Sequence, residues 1–138
     1  MNTCSSIDTD DILYRVICQA ITDHAVTITG GVYPNDERPD GSTLEDIVIN
    51  TIDISQDKPQ SGTSSVLIYA EDQKLRINGK EQRKSARESL RTIGDALKEY
   101  FASQNIADLE FWVETDVTKK VQAVNQHYRY LRIKWTIH

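Results

Sequence analysis

The sequence predicts an α+β fold, a largely antiparallel sheet with two helices packed on one face, in the order α-β-β(β)-α-β-β. Three observations predict it. Two stretches, one near the start and one past the middle, repeat apolar residues at helical spacing. Shorter β-branched stretches lie between and after them. At the C-terminus, Leu131, Ile133, Trp135 and Ile137 alternate with Tyr130, Arg132, Lys134 and Thr136. That period describes a sheet with one buried face and one face that is wet or covered by a partner.

The first helix is expected from Asp8 to His24, with Ile12, Leu13, Val16, Ile17, Ala20 and Ile21 as its apolar stripe. Asp8, Asp10 and Asp11 lie at its start, where acids cap free N–H groups and suit the helix dipole. His24 falls near its end, where a histidine suits the opposite pole. Val26 and Ile28 can begin a short strand, Gly30-Gly31 turns the chain, and Val32 to Pro34 reads as a brief extended piece. Asn35 to Glu45 is polar and aperiodic, long for a connection and therefore a candidate functional loop.

Asp46 to Ile54 alternates as a strand, "SQDKPQSG" reads as a turn, and Ser64 to Ala70 is a second strand. Lys74 to Ile77 is a third strand or the end of the second, before a turn at Asn78-Gly79. A long helix is expected from Glu81 to Ser103, with Ala86, Leu90, Ile93, Leu97, Tyr100 and Phe101 on one face. Gly94 interrupts that stripe and can permit a close helix–sheet approach. Strands over Leu109–Val117 and Asn125–His138 close the chain, with "TDVTKKVQAVNQ" as their hairpin loop.

A chain of 138 residues reads as one domain, 1–138, with residues 1–7 flexible and 34–45 a long loop. There is no apolar run of membrane-spanning length, and "MNTCSSIDTDD" lacks the features of a signal peptide, which points to the cytoplasm. Cys4 and Cys18 fit no metal or redox spacing, and Cys18 reads as a small buried hydrophobe. The net charge of −5 is uneven. Residues 1–57 carry eleven acids against Arg15 and Arg38, a balance of −9. Residues 58–138 carry fourteen basic and ten acidic residues, a balance of +4. Faces of opposite sign can steer one copy onto another, unless the two segments interleave and cancel.

No motif announces a reaction. Phosphate-loop, dinucleotide, EF-hand, zinc and nucleophile-elbow patterns are missing, so no catalytic, cofactor-binding or metal residue is named and no cofactor is expected. Basic residues do cluster: Lys74 to Arg91, and then Lys119 to Lys134. Arg83, Lys84, Arg87, Arg91, Arg132 and Lys134 are the candidates for a basic face. With a pI of about 5.1 and glutamates interleaved, that face suits solvent or another subunit better than nucleic acid.

The helix followed by Gly31, Val32, Tyr33, Pro34 and Pro39, then the strand "EDIVINTI", resembles the small tail-completion and tail-terminator (head–tail joining) proteins of long-tailed bacteriophages. "INGK" before the long helix and the final strand pair resemble prophage variants of that family. The resemblance covers roughly residues 8–138, and its motifs are short and structural. It implies a non-enzymatic ring subunit, typically of a hexamer, that caps the tail tube. The implied partners are further copies of the chain, the tail-tube protein and the head–tail connector, with no membrane. The implied location is the host cytoplasm during assembly and then the virion tail. Tyr33, Pro34, Asn35, Asp36, Glu37, Arg38, Pro39 and Asp40 are then the assembly-loop candidates. Two other readings stay open on the residues: a non-viral adaptor or immunity-type binding module using the exposed sheet face, and an enzyme whose site no motif marks.

Overall fold

The computed structural model describes residues 5–34, 37–56, 59–84, 86–121 and 124–138. The elements are α1 (Ser6–Thr22), β1 (Val32–Pro34), β2 (Asp46–Ile54), β3 (Gln60–Glu71), β4 (Gln73–Ile77), β5 (Lys80–Lys84), α2 (Arg87–Ala102), β6 (Leu109–Lys120) and β7 (Gln126–Ile137). Five strands form one sheet in the order β1-β2-β3-β7-β6, antiparallel except for the β1–β2 pair. β4 and β5 pair only with each other.

The cap of α1 is Ser5, not an aspartate. Its hydroxyl accepts from the Asp8 N–H at 3.3 Å, and the Asp8 carboxylate accepts from the Ser5 N–H at 2.8 Å. This reciprocal capping box satisfies two donors that the first turn leaves free. Asp10 is buried instead, while Asp8, in the first turn, and Asp11 are exposed as expected. The helix stops at Thr22, and His24 takes a left-handed conformation with φ 60°. A residue in that conformation commonly ends a helix.

Both helices bury their stripes on one side of the sheet. Leu13, Val16 and Ile17 of α1 join Leu90, Ile93, Leu97 and Phe101 of α2 in a cluster with Ile47, Ile49, Val66, Ile68, Leu131, Ile133 and Trp135. The predicted α+β architecture is the observed one. Trp135 is 1% exposed, stacks 5.1 Å from Phe111, and donates its indole N–H to Ser64. Cys18 departs from the expectation, being only half-buried with a free thiol.

Several boundaries differ from the sequence expectation. The second helix begins at Arg87, because Asn78 and Gly79 (φ 52° and 75°) turn the chain back and pair residues 80–84 with β4. Positive φ at both central positions is the two-residue hairpin turn that matches strand twist. Val26 and Ile28 form no strand, yet Val26 is buried and Ile28 packs on the core. β3 starts within the expected turn, at Gln60, whose buried side chain donates to the Ser55 carbonyl at 2.8 Å. β6 runs to Lys120, opposite His127, so the closing hairpin loop is short.

Gly94 lies where α2 crosses β7. A Cβ there would strike the guanidinium of Arg129. That guanidinium donates to Asp116 at 2.8 and 2.6 Å, to Asp95 at 2.9 Å, and to the carbonyls of Leu90 and Arg91. The glycine therefore makes room for a charged tie between helix and sheet.

Candidate functional site

Strand residues alternate between faces, so the register defines the face that no helix covers. One row across the sheet is Val48, Leu67, Tyr130 and Val117. The next is Asp46, Tyr69, Tyr128 and Lys119, and a third is Asn50, Ser65, Arg132 and Thr115. Apart from Asp46 and Arg132, these residues line a groove of about 680 Å³ together with Ile52. The Tyr69 and Tyr128 rings sit 5.6 Å apart within it. Ile52, Trp112 and Val117 are exposed at 50%, 48% and 37%. Aromatic side chains with a polar end suit a surface that passes between water and a partner.

The loop before β2 closes one end of this face. Asp46 has no solvent exposure in its side chain. It accepts from Ser42 at 2.6 Å, Arg38 at 2.8 Å and the Gly31 N–H at 2.9 Å. Burial opposes its charge, but these hydrogen bonds outweigh burial and hold its carboxyl below the usual carboxylate range. The Arg38 guanidinium also lies 4.1 Å over the Tyr69 ring and reaches the Ser42 carbonyl, to which Gln126 donates at 2.7 Å.

The assembly-loop candidates therefore divide. Tyr33 and Pro34 lie on β1, opposite Val48 and Ile49, and are half-buried. Arg38 is an internal tie, 17% exposed. Glu37, Pro39 and Asp40 are exposed, while Asn35 and Asp36 lie outside the described residues. The basic-face candidates fall in three places. Arg83 and Lys84 are on β5, and Arg87 and Arg91 are exposed on the first turns of α2. Arg132 and Lys134 are on β7, facing away from the helices, where Lys134 donates to Thr63 at 3.1 Å.

Sequence reasoning did not identify two features. One is the tyrosine groove: Tyr130 was on the wet side of the alternation, but only register brings Tyr69 and Tyr128 beside it. The other is a hydroxyl chain under α1. Thr51 donates to Asp10 at 2.6 Å and meets Ser64 at 3.0 Å, next to the Trp135 indole. It docks the helix on the sheet.

A second cavity, of about 410 Å³, lies beside Arg129, whose charge is already matched by Asp95 and Asp116. His127 meets Asp72 at 2.6 Å, and among the described residues no hydroxyl or thiol hydrogen-bonds its other ring nitrogen. No group of three or more metal-ligating side chains occurs among the described residues. Among them, too, no helix is long and apolar enough to cross a membrane.

No protein-family model matches this chain, and no curated protein does. Among solved structures, a chain from the virion of a native gene transfer agent particle matches with a TM-score of 0.42 and 11% identity, over 93% of this chain and 85% of that chain. A likeness that distant carries no argument about role.

Proposed function

We propose that the chain is a non-enzymatic structural subunit of a bacteriophage or prophage tail, which caps the tail tube and joins it to the head as part of a ring. The observation that supports it best is the helix-free sheet face. Its tyrosines, Leu67 and Val117 form an amphipathic groove suited to another protein's surface. The resemblance carried by Gly31, Val32, Tyr33 and Pro34 supplies the phage context, and these residues build the short edge strand beside that face and the turn into it. In this reading the tail-tube protein covers the groove, the connector meets the opposite side of the ring, and the exposed loop residues Glu37, Pro39 and Asp40 meet a neighbouring copy.

The test is solution mass across concentration, by light scattering after size exclusion, with and without purified tail-tube protein. A closed ring, alone or triggered by the tube protein, is expected. Val117→Asp should keep the fold and lose tube binding. A strict monomer that ignores the tube protein overturns the reading. It would favour a non-viral binding module, which the same open face serves without any ring.

A further inference from the structure

We propose that the β4–β5 hairpin is a basic arm that seats on the acidic edge of a second copy of this chain. The proposal rests on the self-assembly part of the reading above and names the contact that would close it.

The hairpin is its own two-stranded sheet, and its backbone makes no sustained approach to another helix or strand among the described residues. A two-stranded hairpin is marginal in water when nothing packs on it. Its charge is unusual for this chain. Residues 73–84 hold five basic residues, Lys74, Arg76, Lys80, Arg83 and Lys84, against Glu81 alone, a balance of +4. The whole chain carries −5, so everything outside the arm carries −9. Residues 58–138 without the arm balance nine basic residues against nine acids. The basic excess of the second part of the chain is therefore the arm, and the acidic excess is residues 1–57.

The register sharpens the point. Lys74 stands opposite Arg83, and only Arg76 stands opposite an acid. Like charges directly opposed across a strand pair are destabilising. An anionic partner suits a strand pair of that composition. The first part of the chain offers one. Asp11, Glu37, Asp40 and Asp53 are exposed and enter no ion pair among the described residues. They lie on α1, on the loop between β1 and β2, and on β2 itself. α1 packs on β1 and β2 and Thr51 meets Asp10, so Asp11 and Asp53 border the β2 edge of the sheet, whereas Glu37 and Asp40 lie on the loop held by Asp46 at the other end of β2.

Each copy thus carries one arm, which leaves the sheet after β3 beside Gln126, and one acidic edge at Asp11 and Asp53, toward the other end of β2. Such a contact is head-to-tail and closes into a ring when the rotation per copy permits. A nucleic acid backbone would also attract the arm, but it would be repelled by a body of charge −9. A second copy has no such conflict.

The test uses the full chain, with circular dichroism as a folding control. The arm variant is Lys74→Glu with Arg83→Glu, and the edge variant is Asp11→Lys with Asp53→Lys. Light scattering should show wild-type association at about 0.05 M salt, weakened tenfold or more at about 0.5 M. Each variant alone should stay monomeric, and their equimolar mixture should associate, because the reversed charges again match. The neutral pair Lys74→Gln with Arg83→Gln should fall between. An arm variant that assembles as well as wild type, or a mixture that stays monomeric, overturns the proposal. So does a wild type that remains monomeric while it binds a duplex DNA oligonucleotide. Normal rings on the tail tube from the arm variant would overturn the arm and leave the tail reading standing. A wild type that joins neither itself nor the tube overturns both.

Discussion

The two faces of the sheet use alternate residues of the same strands and meet different surroundings. On the covered face, Ile47, Ile49, Val66, Ile68, Leu131, Ile133 and Trp135 are essentially without solvent. Arg129, a cation buried on that side, is matched by two carboxylates and two carbonyls. On the open face, Arg132 and Lys134 are half-buried at most, and Trp112 and Ile52 remain exposed. A strand thus turns its residues to a packed core on one side and to an open surface on the other by a one-residue step. A substitution on the covered face should unfold the protein, whereas one on the open face should leave it folded and change what it binds.

The largest break in that comparison is Trp135→Ala. It removes a buried indole from the Phe111 stack and leaves Ser64 without its donor. A loss of about 4 kcal/mol in urea unfolding is expected, typical of a large aromatic deleted from a core. A loss below about 1 kcal/mol would mean that the faces do not differ as described.

Arg129→Ala comes next, at about 2 kcal/mol, because it takes from Asp116 its main partner beneath α2 and leaves that carboxylate to Lys98. Its pH dependence identifies the cause. The Arg129 hydrogen bond, helped by Lys98 and opposed by burial, holds the Asp116 carboxyl below its ordinary value. A lowered folded value stabilises above the unfolded value of about 3.9, and that contribution is lost as pH falls through the folded value. The gap between wild type and variant should therefore be full near neutral pH and shrink below about pH 4. A gap constant from neutral pH to acid would assign the loss to packing alone.

Gly94→Ala should follow. In a helix this change ordinarily stabilises by about 1 kcal/mol. Here the added methyl meets the Arg129 guanidinium, so a loss of about 1–2 kcal/mol is expected in thermal unfolding. A gain would show that the tie has room to shift.

The same comparison explains what was legible in advance. The alternation at Leu131, Ile133, Trp135 and Ile137 could be read because one face is buried and a period of two cannot slip without exposing it. The break in the α2 stripe at Gly94 was visible, but its partner was not, since Arg129 is distant in sequence and only strand register brings it there. The helix start was misjudged because Glu81 to Ala86 contains residues that helices tolerate well, and a short hairpin leaves no period of its own. The Asn78-Gly79 pair was the local signal that outweighed it. Arg38 read as an assembly-loop candidate because nothing in the sequence shows that Asp46, at the first position of a strand, turns its carboxylate into the loop.

The smallest expected effect on stability is the sharpest test of the comparison. Trp112 stands opposite Lys134, away from the helices, and is 48% exposed. Trp112→Ser removes as large a side chain as Trp135→Ala, from the neighbouring strand and the other face. If the faces divide stability from recognition, urea unfolding should move by no more than about 0.5 kcal/mol. Binding of the partner that covers the groove should weaken about tenfold or more, as expected for an aromatic anchor. A stability loss near that of Trp135 would mean that the open face is packed from within. Unchanged stability with unchanged binding would move the docking surface off this face and onto the acidic loop.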